Sequence, residues 1–93
     1  MIECNAGRCT LTGAVNLENA LALREQGLRL FTESETTLDL SGVTEVDSAA
    51  VSLLFEWRRA ALAAKRSIRY VNLPANLKSL AQLYGVAELV EQA

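Results

Sequence analysis

The chain has no histidine, two cysteines, one proline and one tryptophan among its 93 residues. Without an imidazole it cannot build a His-dependent nucleophilic triad, and Cys4 and Cys9 alone are too few to hold a zinc ion. A Gly-rich phosphate loop and a clustered acid pair are also missing, which removes the usual apparatus of nucleotide chemistry and of general acid–base catalysis. The expectation is a protein with no catalysis, cofactor or metal of its own. Nine Lys and Arg against eleven Asp and Glu leave a net charge of −2, so no broad basic surface invites a nucleic acid. No apolar run approaches the about 20 residues that span a bilayer. The N-terminus lacks the basic-then-apolar order of a secretory signal. A cytoplasmic protein is therefore expected, and with it two reduced thiols. Cys4 and Cys9 nevertheless flank Asn5-Ala6-Gly7-Arg8, a hairpin loop that would set them face to face.

Hydrophobic residues at 51% and charged residues at 22% describe a globular chain, and the length suits a single domain over residues 1–93. Met1–Cys4 and Arg8–Gly13 read as a hairpin with Gly7 in its turn. Asn16 is a suitable cap for a helix running to about Phe31, with Leu17, Ala20, Leu21, Arg24, Leu28 and Phe31 near helical spacing and Gly27 a mild weakness. Thr36–Leu40 follows a polar turn at Glu33-Ser34-Glu35 and reads as a strand. Ala49–Lys65 is helical without a breaker. Ser52, Glu56, Arg59 and Ala63 fall on one side of it, and the apolar arc opposite is wider than the roughly 100° that one sheet would cover. Part of that arc is expected to project from the domain. Trp57 and Phe55 on it are read as core residues ahead of partner-surface anchors, although aromatic residues dominate both settings. Ser67–Leu73 is a further strand stopped by Pro74, Asn76–Tyr84 a short helix closed by Gly85, and Ala87–Gln92 a last helical turn. Leu11, Leu38, Leu40, Ile68 and Tyr70 should lie on the sheet, with Leu21, Leu54 and Leu80 packed over it. The order β-β-α-β-α-β-α implies an α/β fold, a mixed sheet with helices packed mainly on one face.

The most informative stretch is Leu38-Asp39-Leu40-Ser41-Gly42-Val43-Thr44-Glu45-Val46-Asp47-Ser48-Ala49-Ala50. It reads as a buried strand, a short turn, and then Asp47-Ser48 opening a long helix. A hydroxyl at that point meets unpartnered backbone N–H groups and the positive end of the helix dipole, a setting that favours a phosphate or a partner's carboxylate. The plainer reading is that Asp47 or Ser48 caps the helix and does nothing else.

Leu11-Thr12-Gly13, the Leu38–Val43 segment, Val46-Asp47-Ser48 and Gly85-Val86, in this order and spacing, resemble the STAS domain of sulfate transporters and anti-sigma-factor antagonists. The resemblance covers essentially the whole chain. Within that family the bare single domain, the apolar Val51-Ser52-Leu53-Leu54-Phe55 run and the Leu77–Val86 segment look most like the MlaB-type members. Those are small cytoplasmic subunits of a bacterial ABC system that moves phospholipids between the inner and outer membranes. The resemblance implies a partner ATPase, and through it a permease, with the chain peripheral at the inner membrane. It also implies that Ser48 is the key position, with Asp47, Ala49, Val51, Ser52 and Phe55 as its partner-binding neighbours. The other branch of the family implies an anti-sigma factor kinase as partner and phosphorylation at Ser48. Antagonists usually continue Asp-Ser-(Ser/Thr)-Gly-Leu-Gly, whereas this chain has Ala50 and Ser52 at the two glycine positions.

Overall fold

The computed structural model describes residues 1–85 of the chain. Strands β1 (Ile2–Asn5) and β2 (Arg8–Val15) form an antiparallel hairpin. Its loop residues Ala6 and Gly7 both have positive φ, 52° and 84°, which matches the loop's twist to that of the strands. This two-residue loop fixes Cys4 opposite Cys9, and the structure joins them in a disulfide. The expected pair of reduced thiols is thereby corrected: register alone brings the two sulfurs together.

Helix α1 (Ala20–Leu30) leads to β3 (Glu35–Val46), α2 (Ser48–Ala63) to β4 (Ser67–Val71), and α3 (Ala75–Leu83) follows. The sheet order is β1-β2-β3-β4, with β2, β3 and β4 parallel to one another. Cys9, Leu11 and Val15 alternate inward along β2, as do Thr36, Leu38 and Leu40 along β3 and Ile68 and Tyr70 along β4. Arg8, Thr10, Thr12, Ser67 and Arg69 take the other, exposed face. The three helices therefore share one side of a mixed sheet, as the element order implied. The last turn expected at Ala87–Gln92 lies outside the described residues.

Two expectations need correction. First, β3 does not stop at Leu40: the stretch read as a turn continues as strand to Val46. Its register against β2 shifts twice, between Thr10 and Thr12 and again between Gly13 and Val15, so β3 carries extra residues that break the inward–outward alternation. At the first shift Gly42 passes so close to β2 that an added Cβ would lie 2.7 Å from the Thr12 methyl carbon. The Ser41 N–H donates to Asp39 Oδ1 at 2.8 Å there, and bonds from Ser41 hold the Asp39 carboxyl below its ordinary pKa.

Second, α1 turns a different face inward. Leu23 and Gly27 are its buried residues, while Leu21, expected over the sheet, is 68% exposed. Trp57 of α2 decides this orientation. Its indole lies where a side chain at residue 27 would be, and a Cβ on Gly27 would come within 2.4 Å of Nε1. The indole N–H donates to the Arg24 carbonyl at 3.3 Å, and the Phe31 ring meets it edge-on with centroids 5.1 Å apart.

On α2, Ala50, Val51, Leu53, Leu54 and Trp57 are buried, and Leu62 at the far edge of the apolar arc is exposed. Beneath α2 the buried Tyr70 hydroxyl donates to the Leu54 carbonyl at 2.6 Å, and burial pushes its phenol well above the ordinary tyrosine pKa. Leu77 and Ala81 bury α3, with Leu80 half-buried beside them. Gly85 ends that helix at φ 70°, the left-handed conformation expected after a helix C-terminus.

Candidate docking site

The parallel arrangement of β2 and β3 delivers the chain to α1 and to α2 at the same end of the sheet. Residues 16–19 form a turn before α1 begins. The Asn16 side chain accepts from the N–H groups of Glu18 and Asn19, and the Asn19 amide donates to the Ala14 carbonyl at 2.8 Å. Asn16 thus organises this turn, and the helix proper starts at Ala20.

Asp47 is the cap of α2. Its backbone is extended, Oδ1 accepts from the Ala49 N–H at 2.8 Å, and Oδ2 accepts from the Leu17 N–H at 3.0 Å. One carboxylate therefore caps α2 and pins the loop before α1 beside it. Leu17, fixed by that bond, is 80% exposed. Ser48, the first residue of α2, is exposed, and no hydrogen bond engages its hydroxyl among the described residues. Of the two capping candidates, Asp47 does the capping and Ser48 is left facing outward.

The two helix starts enclose an open groove of about 600 Å³. Leu17, Ala20 and Leu21 form one wall, Ser48, Ala49, Ser52 and Leu53 the other, and Asp47 stands at the head. Its far end is closed by Arg24 Nε and Glu56 Oε2, 3.3 Å apart, and Glu56 also lies 3.9 Å from Arg59 Nη1. The groove thus runs from an unengaged hydroxyl at a positive helix end, past exposed leucines, to a partly exposed ion pair. That composition suits a protein segment with apolar anchors and a polar rim. Among the described residues no cluster of three or more His, Cys, Asp or Glu is arranged for a metal, and no helix is long and apolar enough to cross a membrane.

Of the six positions singled out in the sequence, Asp47, Ser48, Ala49 and Ser52 meet in this groove. Val51 does not: it is 5% exposed and belongs to the core, because the turn after Ser48 rotates it towards the sheet. Phe55 is half-buried on another side of α2, beside Arg58, Arg59 and Leu62. The structure adds Leu17 and Leu21 to the groove, which the sequence reading did not single out. Their signal in the sequence is an apolar pair four residues apart, of which Leu21 is expected over the sheet.

No curated protein matches the chain in sequence. Among solved structures, the anti-sigma factor antagonist SpoIIAA in its unphosphorylated form superposes with a TM-score of 0.75 at 14% identity, over 96% of this chain and 83% of that one. A second similar structure, Mglu, gives a TM-score of 0.62 at 19% identity, over 81% of this chain but only 19% of the other. At these identities the likeness is one of fold. A family model described as "Mlab, STAS domain" matches residues 2–91, nearly the full length. The chain belongs to the STAS-domain family, and within it to the MlaB-like type.

Proposed function

We propose that this protein is a non-catalytic STAS subunit that binds and activates the ATPase of a phospholipid-transport ABC system maintaining outer-membrane lipid asymmetry. The observation that carries the reading is the groove itself. Leu17 and Leu21 stand 80% and 68% exposed across from a Ser48 hydroxyl that the fold does not use. Exposed leucines cost solubility in a free domain and gain their worth when a partner covers them, at about 25 cal/mol for each Å² of apolar surface removed from water. The ATPase would seat a segment in this groove, with the permease reached only through it. The chain then works at the cytoplasmic side of the inner membrane.

A second reading, an anti-sigma factor antagonist switched by phosphorylation of Ser48 by a kinase partner, is favoured by the same free hydroxyl and by the fold likeness to SpoIIAA. A phosphate there would add a charge of about −1.5 to −2 beside the Asp47 carboxylate and repel an acidic or apolar partner.

Co-purification with the ATPase and permease encoded beside the gene, followed by measurement of ATP turnover, tests the first reading. Ser48→Arg, Ser48→Glu and Leu21→Arg should each abolish co-purification and the dependence of turnover on this subunit, with unchanged circular dichroism. Ser48→Thr should be nearly silent. Full binding by all three disruptive variants would place the partner surface elsewhere. Stoichiometric phosphorylation of Ser48 by a co-encoded kinase, with turnover indifferent to the subunit, would select the second reading.

A further inference from the structure

The net charge of −2 hides an uneven distribution. Residues 1–56 hold nine acids and three bases, whereas residues 57–85 hold six bases and no acid. Four of the six, Arg58, Arg59, Lys65 and Arg66, fall within nine residues around the C-terminal end of α2. Helical spacing puts Phe55, Arg58, Arg59 and Leu62 on one arc, and in the fold they form one patch on the outer side of the helix. Ala50, Val51, Leu54 and Trp57 turn the opposite side to the core. Phe55 and Arg58 are half-buried, while Arg59, Lys65 and Arg66 are exposed. Leu62 stands among them 65% exposed, followed by exposed Ala63 and Ala64. Glu56 is the one acid of α2; it lies on the α1 side of the patch, 3.9 Å from Arg59 Nη1 and 3.3 Å from Arg24 Nε. Glu33 stands near Arg66 beyond the helix end.

The occupant of such a patch must be anionic over an area wider than one residue and must give an apolar side chain somewhere to go. The outer side of α2 is a ridge with no wall opposite. A peptide is normally held in a groove or along a sheet edge, whereas a lipid surface deforms to cover a ridge. Lys and Arg gain from the negative surface potential of anionic lipids. Their long stems also keep the charges in water while an apolar neighbour sinks to the headgroup boundary. Leu62 meets that arrangement, with two bases one turn before it and two more three and four residues after it.

We propose that the C-terminal half of α2 is a docking surface for an anionic lipid membrane, with Arg58, Arg59, Lys65 and Arg66 on phosphodiester headgroups and Leu62 at the acyl boundary. Each base near such a surface adds about fivefold to partitioning, so four of them give half-binding on the order of 1 mM lipid. A contact of that strength orients a subunit that another partner already holds, rather than anchoring it alone. Leu62 lies about 20 Å along α2 from Ser48, so a membrane on this patch leaves the groove open. The two sites stand or fall separately, and failure here would leave the docking reading untouched.

The test is co-sedimentation of the whole chain with sucrose-loaded vesicles of phosphatidylcholine, alone or with one-third phosphatidylglycerol, at millimolar lipid. Binding should require the anionic lipid and fall at least about tenfold as NaCl rises from about 0.05 to about 0.5 M. The double variant Arg59→Gln/Lys65→Gln should weaken it about 25-fold and Leu62→Gln about three- to tenfold, each with natural circular dichroism. Arg8→Gln, on the uncovered face of the sheet, and Leu21→Ala, in the groove, should bind nearly as the natural chain does. Absent binding, equal binding to neutral vesicles, or an Arg8→Gln loss as large as that of the double variant would each overturn the proposal. So would a double variant or a Leu62→Gln chain that binds as tightly as the natural one. Capture of a polyglutamate peptide without vesicle binding would assign the patch to an acidic protein segment instead. Displacement by millimolar sn-glycerol 3-phosphate would reduce it to a site for free phosphate, and either result overturns the membrane reading.

Discussion

Replacing Gly27 by alanine should destabilise this protein even though alanine is the better helix former. Intrinsic propensity favours Ala over Gly within a helix by about 0.8–1.0 kcal/mol. Gly27 sits in α1 at an ordinary helical φ, so nothing in its backbone resists the change. The obstacle is Trp57: the new Cβ would lie 2.4 Å from Nε1, 2.6 Å from Cε2 and 2.8 Å from Cζ2, a face of a rigid ring that cannot bend away. Either the indole moves or α1 lifts from α2. The first outcome loses the bond to the Arg24 carbonyl, worth about 0.5–1.5 kcal/mol, and the edge-on Phe31 contact, worth a similar amount. Overpacking of this kind costs about 1–3 kcal/mol by itself. Set against the propensity gain, the net loss should be about 2–3 kcal/mol, lowering Tm by roughly 10–20 °C for a domain of this size. Urea denaturation followed by far-UV circular dichroism measures it. The same substitution in a Trp57→Phe background should cost at least 1 kcal/mol less, because the smaller ring leaves room for a methyl. A Gly27→Ala chain as stable as the natural one, or a cost unaltered by Trp57→Phe, would refute this account of why α1 faces as it does.

Leu54→Ala should lose about 2–5 kcal/mol in denaturation, as truncations of fully buried leucines do, since Leu54 is 2% exposed. Tyr70→Phe should cost about 0.5–1.5 kcal/mol near neutral pH for the lost bond to Leu54. Tyr70 has a raised pKa in the fold, so the neutral phenol's contribution is complete below about pH 10, its unfolded value, and is lost as pH rises beyond it. Natural protein should therefore lose stability at up to about 1.4 kcal/mol per pH unit above that point, a slope reduced in Tyr70→Phe. Asp47→Ala should cost about 0.5–2 kcal/mol, and Ser48→Ala less than about 0.5 kcal/mol, both read from thermal unfolding.

The order of elements was legible because punctuation and periodicity agree: Gly7 in the hairpin turn, Pro74 after the last strand, Gly85 at the end of α3 and strict alternation along Cys9–Leu11 and Leu38–Leu40. The inward face of α1 was not, since two stripes in it share the helical period. Leu17, Leu21 and Leu28 form one, and Leu23, Gly27 and Phe31 the other. Hydrophobicity prefers the first. What selects the second is volume, because only a residue without a side chain leaves room for Trp57, and no periodicity carries that information. The length of β3 was hidden for a related reason. Ser41-Gly42 reads as turn chemistry, yet the glycine serves a close approach to Thr12 within a bulged strand. The helix start at Asp47-Ser48 was visible in sequence, but the choice of capping residue was not, because both types cap well.

That choice bears on how the site would work. A serine that caps its own helix has its hydroxyl committed, and modifying it disturbs the fold. Here Asp47 supplies the cap with one oxygen and the tether to Leu17 with the other. A change at Ser48 can therefore alter what the groove accepts while leaving both helices in place. The two missing glycines weigh unequally in the same light. The Ala50 methyl is turned into the core, 2% exposed, and stands in no partner's path. Ser52 alone lies on the groove wall, where a side chain limits how closely another backbone can approach. The departure from the antagonist pattern thus reduces to one exposed residue. On the proposed docking reading, an alternative partner would be discriminated at Ser52 by shape and at Ser48 by charge, while Leu17 and Leu21 would supply apolar area to any partner that fits.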